Sequence, residues 1–230
     1  IRTGIFGLDK MISGGIPVGS QVLIIGMPGS GKTLLSLEIL YHNAKLEVPS
    51  TFITTEELKD SIIDNIENVF YAFEDYIDII EKNTIQILHK PIIDDFKSKE
   101  NFQKFIAGDI INALDSNKSK IVVFDSIGSL RSVVEDDRTF SKYVTYTTEV
   151  FRDYGITSLI TMEVSDLDMS SNKTGLYSTS MFDGIFRLGI KDVSGTAQYI
   201  IEIPKLRNTA HRLSGAPFQI TEKGFDILAD

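Results

Sequence analysis

Eight residues, Gly26-Met27-Pro28-Gly29-Ser30-Gly31-Lys32-Thr33, constrain this chain more than any other stretch. They follow an apolar run, Gln21–Ile25, and precede Leu34–Leu40, whose apolar residues recur at helical spacing. Strand, glycine-rich loop and helix in that order are the context that a phosphate-binding G-x-x-x-x-G-K-[ST] loop requires. Glycines let consecutive backbone N–H groups turn inward around an anion, and the following helix adds the positive end of its dipole. Lys32 then reaches the β/γ-phosphates, and Thr33 offers a hydroxyl to Mg2+. The stretch predicts a nucleoside triphosphate site.

The rest of the chain supplies a scaffold for that loop. Thr3 and Gly4 break the chain, Leu8-Asp9 opens a short helix, and Gly14-Gly15-Ile16-Pro17 turns into the loop strand, a lead-in expected to cover a sheet edge. A helix over 33–46 is followed by a second strand, Ser50–Thr54, ending in Thr55-Glu56-Glu57. Two helices are predicted between Leu58 and Glu81, a strand at Ile85–Leu88, and one amphipathic helix over 94–116. Lys120–Phe124 is an apolar strand closed by Asp125-Ser126; a helix over 135–154 and a strand at Ile156–Met162 come next. Residues 165–180 read as a Ser/Thr/Asn/Asp/Gly-rich mobile loop. Short strands at Asp183–Ile190, Gln198–Pro204, Phe218–Thr221 and Asp226–Leu228 close the chain. Alternating strands and helices predict an α/β fold: a mostly parallel central sheet, helices on both faces, and antiparallel strands at the C-terminal edge. No repeat or linker interrupts residues 1–230, which read as one domain.

Ligands of such sheets sit at the carboxyl ends of the strands. Gly26, Glu56, Asp125 and Glu163 all lie just beyond apolar strands, which points to one site. Asp125 is placed to hold Mg2+ through water opposite Thr33. A carboxylate at Glu56 or Glu57 would position the attacking water; neighbours on an extended chain point to opposite faces, so one of the two is expected to face the nucleotide. An acidic helix start is the plainer explanation of that pair. The run Lys205-Leu206-Arg207-Asn208-Thr209-Ala210-His211-Arg212 is either a solvated turn or a source of positive charge for a γ-phosphate. In the latter case Arg207 is an arginine finger, delivered in cis or from a neighbouring subunit.

Charge and composition narrow the partners. A net charge of −9 argues against DNA as the main partner, because non-specific binding rests on a basic footprint. The absence of cysteine excludes disulfides and thiolate metal sites and suits a cytoplasmic protein. No apolar run approaches a membrane span and no signal-peptide pattern opens the chain. The opening Ile1, in place of an initiator, predicts that further residues precede it.

Several of these motifs occur together and in order. Gly4-Ile5-Phe6-Gly7-Leu8-Asp9 with Gly14–Pro17, then Gly26–Thr33, Thr55–Glu57, Phe124–Ser126 and Lys205–His211 resemble the ATPase domain of KaiC, of the RecA/DnaB-type superfamily. The resemblance runs from residue 3 to about 228. It implies a three-layer P-loop RecA-like fold and ATP with Mg2+ at the interfaces of a hexameric ring. Gly29, Ser30, Gly31, Lys32, Thr33 and Leu34 would grip the phosphates, with Glu56 as catalytic glutamate supported by Glu57, Asp125 as the second-motif acid, and Asn68 near the base. Lys205, Leu206, Arg207, Thr209 and His211, joined by Thr221 and Glu222, would reach the neighbour's nucleotide. Asn208 stands where the family has glycine and Glu222 where it has aspartate. The stretch Ser178-Thr179-Ser180 falls about where the second domain of KaiC carries self-phosphorylated hydroxyls; a plain Ser/Thr-rich loop is the simpler reading.

Two other functions share the scaffold. A RadA-like recombinase paralogue would bind single-stranded DNA through loops at roughly 127–140 and 164–180. Neither loop has the mix of basic and aromatic residues that stacking on single strands uses, apart from Tyr177. A degenerate, non-hydrolysing ATP-binding regulator is argued against by the intact Lys32, Glu56 and Asp125.

Overall fold

The computed structural model describes residues 1–69, 73–134, 136–164, 179–193 and 195–229. Its centre is a nine-stranded sheet, ordered β3-β2-β4-β5-β1-β6-β7-β8-β9. The parallel part comprises β1 (Gln21–Gly26), β2 (Ser50–Thr54), β3 (Ile85–His89), β4 (Ile121–Asp125), β5 (Thr157–Glu163) and β6 (Gly184–Val193). The antiparallel end is made by β7 (Thr196–Leu206), β8 (Ala216–Thr221) and β9 (Gly224–Ile227).

β1 is buried along its whole length because both of its faces are covered. Val22 and Ile24 belong to one core, shared with α2 (Lys32–Ala44), α3 (Lys59–Val69) and α4 (Tyr76–Glu81). Leu23 and Ile25 belong to the other, under α5 (Lys99–Lys104), α6 (Ile111–Ser116) and α7 (Asp137–Asp153). This is the three-layer arrangement expected from the alternation of strands and helices. The lead-in forms α1 (Phe6–Met11), which packs on the edge strand β9: a Cβ on Gly7 would lie 2.1 Å from the Ile227 carbonyl oxygen.

Two expectations change in detail, and a third falls mostly outside the described residues. The single helix over 94–116 is a 3-10 turn at Asp94–Lys97 followed by α5, a π-helical segment at Phe105–Ile110, and α6. Ser98 accepts from the Asn101 N–H and caps α5, which is why the helix starts after the turn. The closing strands are longer than their apolar runs, because ladder pairing between β6 and β7 carries on through the exposed residues as far as Val193 and Thr196. Most of the loop read at 165–180 lies outside the described residues; Thr179 and Ser180 are inside them.

Candidate functional site

The glycine loop closes β1 and opens α2. Gly29 and Gly31 have φ of +74° and +93°, a left-handed backbone that favours glycine, and a Cβ on Gly29 would meet open space. The Ser30 hydroxyl is buried without a hydrogen-bond partner among the described residues. Lys32 is only 6% exposed, and its ammonium donates to the Gly26 and Met27 carbonyls at 3.1 and 2.9 Å. It lies 3.7 Å from the Glu163 carboxylate. Burial holds its pKa below the ordinary lysine value, against the pull of Glu163 and Asp125.

Four carboxylates share the cavity of about 290 Å3 in front of that loop: Glu56, Glu57, Asp125 and Glu163. Parallel pairing brings them together, since Thr54 is in register with Asp125 and Gly26 with Glu163. Asp125 is buried and accepts from Thr33 Oγ1 at 2.8 Å and from Thr161 Oγ1. Ser126 Oγ donates to Glu56 at 3.3 Å, and Asn65 Nδ2 donates to Glu57 at 3.1 Å. Burial is the first cause that raises the pKa of Glu56, Glu57 and Asp125; the neighbouring carboxylates Glu163 for Glu56 and Asp125 for Glu57 come next.

Two points differ from the reading of the sequence. Glu56 and Glu57 both line the cavity, because the chain bends at Thr55–Glu57, where Thr54 Oγ1 closes a turn with Glu57, and strand alternation does not apply. Glu163, expected at this edge but given no role, lines the cavity and faces Lys32. Its signal was its place at the end of β5, which pairs directly with the loop strand.

One lysine against four carboxylates is an electrostatic arrangement that calls for a cation. Among the described residues no three His, Asp or Glu side chains converge as a metal cluster. The donor set fits Mg2+ all the same: that ion takes one or two protein ligands and keeps water and phosphate oxygens for the rest. The Thr33 hydroxyl, already 2.8 Å from Asp125, would be the direct ligand, with Asp125 behind water.

Lys205, Leu206 and Arg207 lie elsewhere. Leu206 pairs with Gly184, which pairs with Val22 near the start of β1, whereas the glycine loop begins at Gly26. About 13 Å of strand therefore separates them, at 3.3 Å per residue. Lys205 Nζ donates to the Thr179 carbonyl at 3.0 Å, and the exposed Arg207 lies 3.5 Å from Asp183. Leu206 itself is buried in the core. Beyond β7, His211 Nδ1 is 3.3 Å from the Thr209 carbonyl, and His211 Nε2 is buried without a partner among the described residues. Within one chain this cluster therefore sits toward the opposite end of the sheet from the glycine loop.

Thr221 and Glu222 do not join that cluster. They form the β8–β9 turn, where Thr221 Oγ1 donates to the Gly224 carbonyl at 3.0 Å. β8 runs back toward the glycine loop: Ile220 lines the cavity, and a Cβ on Gly31 would come within 2.9 Å of its side chain. The buried Glu38 of α2 ties down this hairpin by accepting from the Phe225 N–H at 2.8 Å. Leu34 lines the cavity as expected. Asn68 is exposed on α3, donates to the Asp64 carbonyl at 2.7 Å, and is not among the residues lining the cavity. Of the first loop weighed for DNA, Arg131 is committed to Asp137 at 2.7 Å and to the Phe140 ring at 4.1 Å.

Known proteins share the sequence family and the fold of this chain. The family model described as ATPase: KaiC matches residues 1–230. A UPF0273 protein of Pyrococcus horikoshii, PH0284, is 27% identical over 240 residues, covering 100% of this chain and 94% of its own. The circadian clock oscillator protein KaiC of Rippkaea orientalis is 28% identical over 253 residues; the match takes in 99% of this chain but 44% of the clock protein. The crystal structure of the KaiC-like protein PH0186 from Pyrococcus horikoshii OT3 superposes with a TM-score of 0.80 at 24% identity. That match covers 99% of this chain and 97% of the other, and shows a common fold.

Proposed function

The chain belongs to the KaiC ATPase family, and on that premise we propose that it hydrolyses ATP with Mg2+ at sites shared between head-to-tail copies in a hexameric ring. What supports the proposal is that the glycine loop with its carboxylates and the Lys205–Arg207 cluster lie toward opposite edges of one sheet. A heterologous interface brings one copy's amino edge against the next copy's carboxyl edge, and a closed ring completes every site.

In the first half-site, backbone N–H groups of Gly29–Thr33 and the start of α2 take the phosphates. Lys32 exchanges the Gly26 and Met27 carbonyls for phosphate oxygens. Thr33 directly and Asp125 through water would hold Mg2+, which would supply charge neutralisation for the phosphates. Glu56, steadied by Ser126, accepts the hydrogen bond that aims the attacking water, and its raised pKa brings it nearer the working pH of a general base. Lys205 and Arg207 of the adjacent copy answer the charge that develops on the transferred phosphoryl group. Ile220, Thr221 and Glu222 frame the nucleotide of their own copy, while Thr209 and His211 come from the adjacent one. Asn68 would face the base.

Thr179 and Ser180 lie at the Lys205 edge, so a phosphoryl transfer to either would come from the adjacent copy's ATP. Incubation with γ-labelled ATP and peptide mapping tests that branch, and no label on the peptide containing both residues ends it. The main proposal is tested by sedimentation with and without ATP and Mg2+. Assembly to a hexamer that coincides with turnover is expected. Full turnover by a monomer would overturn it.

A further inference from the structure

A second and larger cavity, of about 870 Å3, lies on the opposite face of the sheet from α2, between the Asp94–Lys97 turn, α5 and α7. Its lining shares no residue with the cavity at the glycine loop. The chain as a whole has 23 Lys and Arg against 32 Asp and Glu, yet Lys97, Lys99, Arg138 and Lys142 line this groove against Glu149 alone. Lys97 is held by Asp94 at 3.2 Å. Lys99, Arg138 and Lys142 form no ion pair among the described residues. An acidic protein that gathers unpaired cations around a concave site has built a place for an anion.

The floor says what kind of anion. Tyr143 stacks on Phe102 with centroids 4.1 Å apart and planes 5° from parallel, and its hydroxyl donates to the Phe96 carbonyl at 2.9 Å. Both rings are buried, so they are floor rather than contact surface. Tyr146, one turn further along α7, is half-buried, and its hydroxyl makes no hydrogen bond among the described residues. Arg138, Lys142, Tyr146 and Glu149 follow one another along a single face of α7. At 1.5 Å per residue, Tyr146 lies about 6 Å from Lys142 along the axis and Glu149 about 10 Å. Cations, then a ring, then a carboxylate at those intervals match the order of phosphate, base and exocyclic amine in a nucleotide. The volume lies within the range of small-molecule sites. Tyr146 packs edge-on against Phe102 with centroids 6.4 Å apart and is only half-buried, so it is the ring a base can reach.

We propose that the α5–α7 groove binds a nucleotide separately from the glycine loop. Its phosphates lie among Lys99, Arg138 and Lys142, its base against Tyr146, and its amino group on Glu149. Lys99, Arg138 and Lys142 meet the phosphates directly, although Asp136 lies near Lys142, so binding at this site does not depend on Mg2+. It stands or falls independently of hydrolysis at the glycine loop.

Equilibrium dialysis with labelled ADP tests this on the whole chain. In Mg2+ the protein binds two ADP per chain, and Lys32→Ala leaves one, unchanged by EDTA. Arg138→Ala with Lys142→Ala, both exposed positions, weakens that remaining site about tenfold or more, the loss of a few charge-assisted contacts. The same pair made in the otherwise unaltered chain lowers the count from two to one, a readout that holds even if Lys32→Ala fails to fold. Tyr146→Phe keeps the site and Tyr146→Ala weakens it severalfold. One ADP per chain in the unaltered protein would overturn the proposal, as would a residual site indifferent to Arg138 and Lys142. So would displacement of ADP by oligothymidylate with affinity growing with strand length, which would make the groove a nucleic-acid surface.

Discussion

At the carboxyl edge of the parallel strands, Glu56, Glu57, Asp125 and Glu163 surround a single lysine; at the other edge, Lys205 and Arg207 sit beside Asp183. The acidic edge is short of cations, whereas at the basic edge Asp183 is paired with Arg207 and Arg152. Burial and mutual repulsion push the carboxylates up, while burial and the nearby Arg207 push Lys205 down. Four residue steps of the buried strand β1, from Val22 to Gly26, lie between the two levels of the sheet. The difference teaches that one copy carries its acidic and basic groups at opposite ends of the sheet, the arrangement from which the proposed shared site is argued.

The comparison breaks most visibly at Arg207. Arg207→Ala is expected to lower ATP turnover about 10³-fold or more, the scale of losing an arginine finger, with ATP affinity at the glycine loop nearly unchanged. Normal turnover in steady-state assays would leave the amino edge without a part in the reaction. On the opposite edge, Glu56→Gln should cost about 10²-fold or more in kcat while ATP still binds. Glu57→Gln should cost less, since Asn65 holds that carboxylate. Equal losses at Glu56 and Glu57 would show that the water is shared between them.

A smaller effect separates the edges by pH. Glu56, Glu57 and Asp125 have raised pKa values, so the folded chain holds their protons more tightly than the unfolded chain does. The stability they contribute is fully present below their unfolded values, near 4, and is lost as pH rises through the folded values. Mg2+ with ATP answers the ionised carboxylates, so its thermal stabilisation should be larger at about pH 7.5 than at about pH 5 by differential scanning fluorimetry. Equal shifts at both pH values would contradict the charge logic of the carboxyl edge. Smallest of all, Ile220→Ala, which loosens the hairpin over the loop, should raise KM for ATP severalfold with little change in kcat.

The carboxyl edge was legible in the sequence because its signals are local. A glycine loop between strand and helix, and acids at the ends of apolar strands, need no knowledge of the return path of the chain. Glu163 carried the same signal and differed only in lacking a recognised motif. Long-range placement was not legible. Whether Lys205 and Arg207 face their own loop depends on β7 running antiparallel to β6 and ending beside Gly184, which composition does not encode. Thr221 and Glu222 part from that cluster for the same reason, because β8 turns back. The α5–α7 groove is hidden further still: its cations come from two stretches some forty residues apart, each unremarkable alone. The acidic net charge masks it.

The central claim is that one catalytic site takes residues from two copies, and mixing two inactive variants tests it directly. Lys32→Ala lacks the phosphate lysine and keeps the finger; Arg207→Ala lacks the finger and keeps the lysine. Subunits exchanged in equal amounts should regain ATP turnover at roughly a quarter of the sites, the random-pairing expectation for a head-to-tail interface. A mixture no more active than its two components, under conditions where exchange is demonstrated, would contradict the shared site.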